Sequence, residues 1–465
     1  MSTYEKLSKA TPFQTAFDVD PATGFMPPEP PLRRLPQAWE AWEVLLDEAI
    51  HKRLAPGDKV GLTMAEATQS ERWRASLRAI PLISTTELLV DDEPALARRA
   101  HVVLTFLLSF YIHTLPPRSS ILIPKPLSIP LLQVSNHLGM PPVVTYSDTV
   151  LYNWELQESV RNGDATPGCS SCPATTCATL NPATARASFL SENIRAQTTF
   201  TGLTDEEAFY ETSAKIELRG VEALDIMRST MDELFVSDSI AVTRVTKLLQ
   251  RFAVVVADLK KILLDIRPLC DPERYYNDVR PFFRGEDSSH EERRWVFEGL
   301  EEYPDLVESG VTKELSGASA AQSSLIYALD AFLGVKDVRS SSFMARMQKY
   351  VPKNHRLFLD HLADSSRPLR SFVMDRADGQ DGQELKDAYN ASVNALKEFR
   401  DGHMIIAALY IVGPARRARN RLQDPEETKK LKERSLKGTG GTDMVKFLKG
   451  VRDQTKHTMI SPVVV

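Results

Sequence analysis

The residues best placed to do chemistry lie on the segment from Gln383 to Val412. There Leu385, Tyr389, Ser392, Leu396, Phe399, His403, Ile406 and Tyr410 recur at alternating spacings of four and three. This period lays them on one face of a helix and sets the His403 imidazole among apolar side chains. Such an imidazole must satisfy its ring nitrogens. A hydrogen-bonded core histidine does so, and so does a haem ligand whose second nitrogen bonds to a carbonyl or water. The spacing alone leaves both open, and the plain core histidine is the commoner of the two. Gly402 offers room for a flat ring to approach, and Gly413-Pro414 should stop the helix.

Three other segments have unusual textures. Leu315 to Ser324 is a run of small residues that opens an apolar helix; it suits close approach to a planar group, or a capped helix packed on a neighbour. Cys270 to Gly285 mixes aromatic rings with Arg280. A guanidinium beside rings suits a ligand with a carboxylate and an aromatic body, and equally an arginine packed at a helix end. Gly438 to Thr442 lacks the Walker spacing and the Lys-Ser/Thr pair of a phosphate loop, so it reads as a flexible loop or lid.

The four cysteines, Cys169, Cys172, Cys177 and Cys270, do not make a disulfide framework in a chain of 465 residues. Three of them form CSSCPATTC, which has no fourth ligand for zinc; free or incidentally paired thiols on a loop are expected there, with metal or redox chemistry as the alternative. No H-E-x-x-H, C-x-x-C-H or thiolate haem signature occurs. The formal net charge of -5, from 57 basic and 62 acidic residues, gives no global electrostatic reason to expect nucleic acid or an anionic membrane as partner. Arg416, Arg417, Arg419 and Arg421 are followed by Asp424, Glu426 and Glu427 and read as a solvated face.

The elements that must position these residues are helical. Trp39 to Lys52, Met64 to Ile80, Glu93 to Ile112, Asp148 to Leu156, Asp205 to Thr230, Asp232 to Asp265, Ser319 to Leu333, Ser341 to Tyr350, Gln383 to Val412 and Asp443 to Thr455 carry helical periodicity. Leu115 to Pro142 holds seven prolines and should be irregular, and the proline-rich first 35 residues should run as an extended arm. Val102 to Ile112 is too short to span a bilayer and reads as core. The expected fold is all-α: a small N-terminal helical domain with its arm (1–160), a linker or insertion (161–190) and a large helical domain (191–465). The opening residues lack an apolar export signal, so a cytoplasmic location is expected, with a monomer as the default.

Five separated blocks occur in one order: MPPVVTYSDTVLYNW (140–154), SAAQSS (319–324), MQKYVPKNHRLFL (347–359), FRDGH (399–403) and GTGGTDMVKFL (438–448). Together they resemble the indoleamine 2,3-dioxygenase family, from about Pro36 to Thr455. The resemblance implies one haem b between the two domains with His403 as iron ligand, and cleavage of the indole C2=C3 bond of L-tryptophan by O2 to give N-formylkynurenine, with an electron donor to keep the iron ferrous. It assigns the substrate pocket to Tyr146, Thr149, Phe209, Ser213, Tyr275, Arg280, Phe283, Ser319, Ala320 and the Thr439 loop. In that scheme Arg280 pairs with the substrate carboxylate, the Thr439 loop receives the ammonium and closes, and Phe209 and Tyr275 flank the indole. Ser213 lies near indole or oxygen, Ser319 near the haem, and Arg400 and Asp330 pair close to the iron ligand. A haem-binding sensor or oxygen carrier with weak turnover is the alternative. Tyr275 stands where the family usually has Phe, and Thr149 and Ala321 replace a Cys and a Gly of animal members.

Overall fold

The computed structural model describes residues 16–90, 94–157, 182–288, 293–335, 342–364, 368–376, 378–420 and 444–460. The expectations for Cys169, Cys172, Cys177 and Thr439 concern positions outside these residues. In chain order the helices are α1 (Glu40–His51), α2 (Met64–Ala79), α3 (Pro94–His113), α4 (Lys125–Leu138), α5 (Pro182–Asn193), α6 (Thr204–Val236), α7 (Ala241–Leu264) and α8 (Pro304–Ser309). They continue as α9 (Ser324–Leu333), α10 (Ser342–Gln348), α11 (Lys353–Ala363), α12 (Leu369–Asp375), α13 (Gly379–Ala407), α14 (Gly413–Asn420) and α15 (Met444–His457). Strand is confined, among the described residues, to two short pairs, β1 (Ile121–Ile123) parallel to β4 (Trp295–Phe297) and β2 (Trp154–Leu156) antiparallel to β3 (Ile194–Ala196). The architecture is all-α.

Helix α7 is packed between α6 and α13, and α15 lies on α13. These contacts are close because small residues allow them. A Cβ on Gly402 would stand 3.2 Å from Lys260 Cγ, and one on Gly220 would stand 2.4 Å from Leu325 Cδ2. Gly402 therefore serves the packing of α13 on α7, and not the approach of a planar group that its place beside His403 suggests. The Ser392 hydroxyl donates to the Leu249 carbonyl at 3.0 Å across the same interface.

Two groups of buried apolar residues result. One is built largely from α1 to α4 and the segment 266–315, the other from α6, α7, α9, α12 and α13. Helix α3 is long and apolar enough to cross a membrane by composition, yet 83% of its most apolar window is buried in the protein interior. It behaves as the axis of the first core.

Several boundaries differ from the periodicity reading. Helix α4 forms despite its prolines: Pro126 occupies the first turn, where an amide has no helical acceptor, and the loss at Pro130 is offset by burial of Leu127, Leu131, Leu132 and Val134. The segment Asp148 to Leu156 is not one helix but a π-helical turn, Ser147–Leu151, running into β2. Helix α6 continues through Met231 and ends at Ser237, which takes a left-handed conformation (φ 51°) without being glycine. The end of the expected linker is helix α5, packed on α6 through Ala187 and Leu190. Gly413-Pro414 does not stop the chain's helical course. A π-helical turn at Ala408–Val412 widens the helix just before Pro414, which relieves the clash a proline ring makes with the preceding turn, and α14 begins directly after it.

Candidate functional site

A cavity enclosing about 1030 Å³ of non-atom space, counting what is open at its mouth, lies where the two cores meet. Its wall takes Phe209, Tyr275, Phe283, Ile406 and Tyr410 from the first core or its margin, and Tyr146 and Val150 from the second. Nine of the residues that the resemblance assigns to the site line it: Tyr146, Thr149, Phe209, Ser213, Tyr275, Phe283, Ser319, Ala320 and His403.

Three π-helical turns border the cavity. Ser147–Leu151 supplies Thr149 and Val150, Tyr275–Val279 supplies Tyr275, and Ala408–Val412 supplies Tyr410 and Ile411. A π turn inserts one residue into a helix and re-aims the side chains beyond it, and for that reason such turns gather at functional sites. The first of them is anchored from below: Asp148 accepts from Thr145 N (2.8 Å) and Oγ1 (2.6 Å) and contacts His101 Nδ1 at 2.6 Å.

His403 is partly accessible and faces this cavity from α13. Its behaviour separates it from the other interior histidines. His101, His113 and His355 all have ring nitrogens bonded to protein oxygens. Among the described residues His403 has no such bond. Burial, with a smaller contribution from the nearby Arg400 charge, lowers its pKa to about 4, so at neutral pH the imidazole is neutral and keeps a lone pair for coordination. No group of three or more His, Cys, Asp or Glu side chains suited to a metal ion occurs among the described residues. A single neutral imidazole on the wall of a roomy apolar cavity fits a metal whose other ligands arrive with it, as in a macrocycle, and not a bare ion held by protein alone.

The aromatic side is one continuous wall. Phe209 and Tyr275 have ring centroids 4.7 Å apart, Phe209 and Phe283 6.1 Å, and Tyr275 meets Tyr410 edge-on at 5.7 Å. Phe209 and Tyr275 are thus in direct contact and present a shared face to the cavity. Hydroxyls around the cavity are held by their own backbone. Ser213 Oγ donates to Phe209 O at 3.3 Å, Thr149 Oγ1 to Thr145 O at 3.2 Å, and Ser319 Oγ accepts from Ala321 N at 3.3 Å. Ser319 caps only the 3-10 turn Ala320–Gln322, and α9 begins five residues after Ser319, at Ser324.

Arg280, Asp330 and Arg400 do not line the cavity. Arg280 is buried in a 3-10 turn, with its guanidinium 5.4 Å from the Tyr276 ring centre; burial first, and the like charge of Arg284 second, oppose its positive charge. Arg400 lies on α13 one turn before His403. Its Nη2 donates to both oxygens of Asp330, at 2.6 and 2.7 Å, and its Nη1 to Thr455 Oγ1, tying α13 to α9 and α15. The pair is buried and lies one helical turn from the imidazole.

Sequence reasoning missed Phe343, Met444 and Phe447, which close part of the wall, with Phe343 and Phe447 edge to face at 4.6 Å. The available signal was the apolar spacing Met444, Phe447, Leu448, Val451 on α15. It marks a buried face without saying that the face borders a cavity.

The model of the family described as indoleamine 2,3-dioxygenase matches residues 13–458. The chain is 32% identical over 449 residues to indoleamine 2,3-dioxygenase acdA of Aspergillus candidus, covering 95% of this chain and 96% of that protein. It is 28% identical over 454 residues to indoleamine 2,3-dioxygenase 1 of Rattus norvegicus (96% and 95%), and 29% identical over 452 residues to 6-hydroxytryptophan 2,3-dioxygenase fscD of Fusarium equiseti (95% and 97%). With nearly its whole length matched, and an uncommitted imidazole on the wall of a large aromatic cavity, the chain belongs to the indoleamine 2,3-dioxygenase family.

Proposed function

We propose that the cavity holds haem b through His403 and that the protein converts L-tryptophan and O2 to N-formylkynurenine, both oxygen atoms entering the product as the indole C2=C3 bond breaks. The observation that carries this reading is the neutral His403, unbonded to any described residue and facing a cavity roomy enough for a ligand of some size. Haem, when bound, would supply a ferrous centre that activates dioxygen.

The chain's own residues supply position. The contiguous Phe209, Tyr275 and Phe283 rings offer a face on which an indole can stack. Arg280 is a buried cation whose charge is opposed by its surroundings, so a substrate carboxylate brought beside it would form a charge-assisted pair. Ser213, Thr149 and Ser319 stay tied to backbone oxygens or amides and keep the pocket's polarity low. No carboxylate lines the cavity among the described residues, in keeping with a reaction in which the electron-rich indole needs no general base.

The reading extends to a cytoplasmic monomer served by an external electron donor, and to a lid role for the Thr439 loop. It is tested by purifying the protein with haem, reducing it and measuring N-formylkynurenine from tryptophan. A Soret band with no product would instead support the sensor or oxygen-carrier reading, which the hydroxyl that Tyr275 brings to the wall leaves open. The same assay with 6-hydroxytryptophan shows whether ring hydroxylation is preferred.

Tyr275 gives a second test. Its hydroxyl adds a polar group beside the Phe209 ring on the wall, which should weaken tryptophan binding. Tyr275→Phe is expected to lower KM for tryptophan about fivefold, the equivalent of roughly 1 kcal/mol. An unchanged KM together with an unchanged kcat would end this idea.

A further inference from the structure

Helix α6 carries a carboxylic acid one turn beyond the cavity-lining Ser213. Glu217 is 1% exposed. Its Oε1 accepts from the Tyr146 hydroxyl at 2.8 Å and from Ser323 Oγ at 2.7 Å. Its Oε2 is equally buried and has no partner among the described residues.

Tyr146 belongs to the cavity wall and is held at both ends. Its hydroxyl goes to Glu217, while its backbone N–H donates to Gln322 Oε1 at 2.9 Å. Gln322 Nε2 donates in turn to Gly317 O at 2.9 Å, and Ser323 closes the circuit back to Glu217. The acid therefore links the start of the first π turn to the small-residue run 317–323, two parts of the wall that are far apart in sequence.

Among the described residues no cation offsets a charge at Glu217. Arg219 of the same helix bonds to Glu222 and to Asp258 of α7, and Arg251 of α7 to Glu222. Arg195 of β3 bonds to Glu155, Arg376 after α12 to Ser237, and Asp330 of α9 to Arg400. The forces acting on the Glu217 carboxyl are burial first, then the opposing hydrogen bonds from Ser323 and Tyr146; together they raise it from 4.5 to about 7. An isolated buried carboxylate is costly, whereas the neutral acid still offers Oε1 as an acceptor to both hydroxyls.

We propose that Glu217 is a positioning residue for the cavity: as a neutral acid it holds Tyr146 and Ser323 in register, and loss of its proton to solvent draws water into the wall and weakens substrate binding. For its kinetic consequence the proposal rests on the cavity being the tryptophan pocket; for the state of the carboxyl it does not.

Stability should track the same proton. Because the folded carboxyl titrates above its unfolded value, its stabilising effect is complete below 4.5 and is lost as pH rises to about 7. Glu217→Gln has no proton to lose, so its Tm should gain on the parent's across that window and level off above it, by about 3 °C.

The test uses the full chain. Infrared spectra should show a protonated-carboxyl stretch that titrates near neutrality, with or without haem, and is missing from Glu217→Gln. In the haem-loaded enzyme, KM for tryptophan should rise about fivefold between about pH 6 and about pH 8 in the parent and stay level in Glu217→Gln. Glu217→Leu, which strands both hydroxyls, should raise KM about tenfold at the lower pH with a smaller change in kcat. If Glu217→Leu does not fold, the Gln variant still decides the matter. Absence of the carboxyl band from the parent, or the same rise in KM with pH in Glu217→Gln, overturns the proposal. A titrating band in a protein with no tryptophan turnover would uphold the buried acid and sink the reading of the cavity.

Discussion

His403→Ala should purify without a Soret band and form no N-formylkynurenine from tryptophan, while its far-ultraviolet circular dichroism stays that of the parent. The expectation comes from what the imidazole does and does not touch. It has no hydrogen bond to a described residue, so its removal strands no protein donor or acceptor there and costs the fold little. It lines a cavity in which no cluster of metal-ligating side chains could replace it among the described residues. Loss of one ring therefore removes the proposed iron ligand and almost nothing else. Imidazole added to the variant should enter the space left and restore part of the band. A variant that keeps both band and turnover would mean that the iron is held elsewhere.

The largest expected effect on stability comes from Asp330→Ala. Asp330 takes two hydrogen bonds from Arg400 Nη2, and both side chains are buried. Removing the carboxylate leaves a guanidinium in the interior, a change that costs about 3–5 kcal/mol in comparable buried pairs. Denaturant unfolding should show it as a lower midpoint with little change in slope. Arg400→Met on that background removes the stranded charge and should recover much of the loss. Because Arg400 precedes His403 by one helical turn, Asp330→Ala should also hold haem less tightly, whereas Asp330→Asn, which keeps an acceptor, should fall between it and the parent. Parent-like stability in Asp330→Ala would show that the pair contributes nothing net.

How much of this was legible in the sequence can be traced residue by residue. The face of α13 was readable because the 4-3 spacing of Leu385 to Ile406 is a property of the helix alone. Nine cavity residues were reached through the family resemblance, since Tyr146, Phe209, Tyr275 and His403 are widely separated along the chain and no local pattern joins them. The errors have physical causes. Prolines at 126 and 130 suggested a break, but burial of one face of α4 outweighs one missing hydrogen bond. Gly402 invited a role beside a planar ligand because it adjoins His403, yet successive helical residues point about 100° apart, and it faces Lys260 instead. Ser237 gave no signal for the end of α6, because a left-handed cap is expected of glycine or asparagine. Glu217 was passed over: in a sequence it is one of many charges on a long helix, and only burial reveals it.

The three widened turns beside the cavity have an outcome for how the chain can vary. Each is a helix with one surplus residue, and every side chain after it is aimed by that surplus. Excising a single position from Ala408–Val412 would return the backbone to regular winding and swing the rest of the helix by about 100°, pulling Tyr410 and Ile411 off the wall. The pocket should thus accommodate exchanges of side chain at these bends far more readily than any change in their length, so gaps between relatives belong in other parts of the molecule.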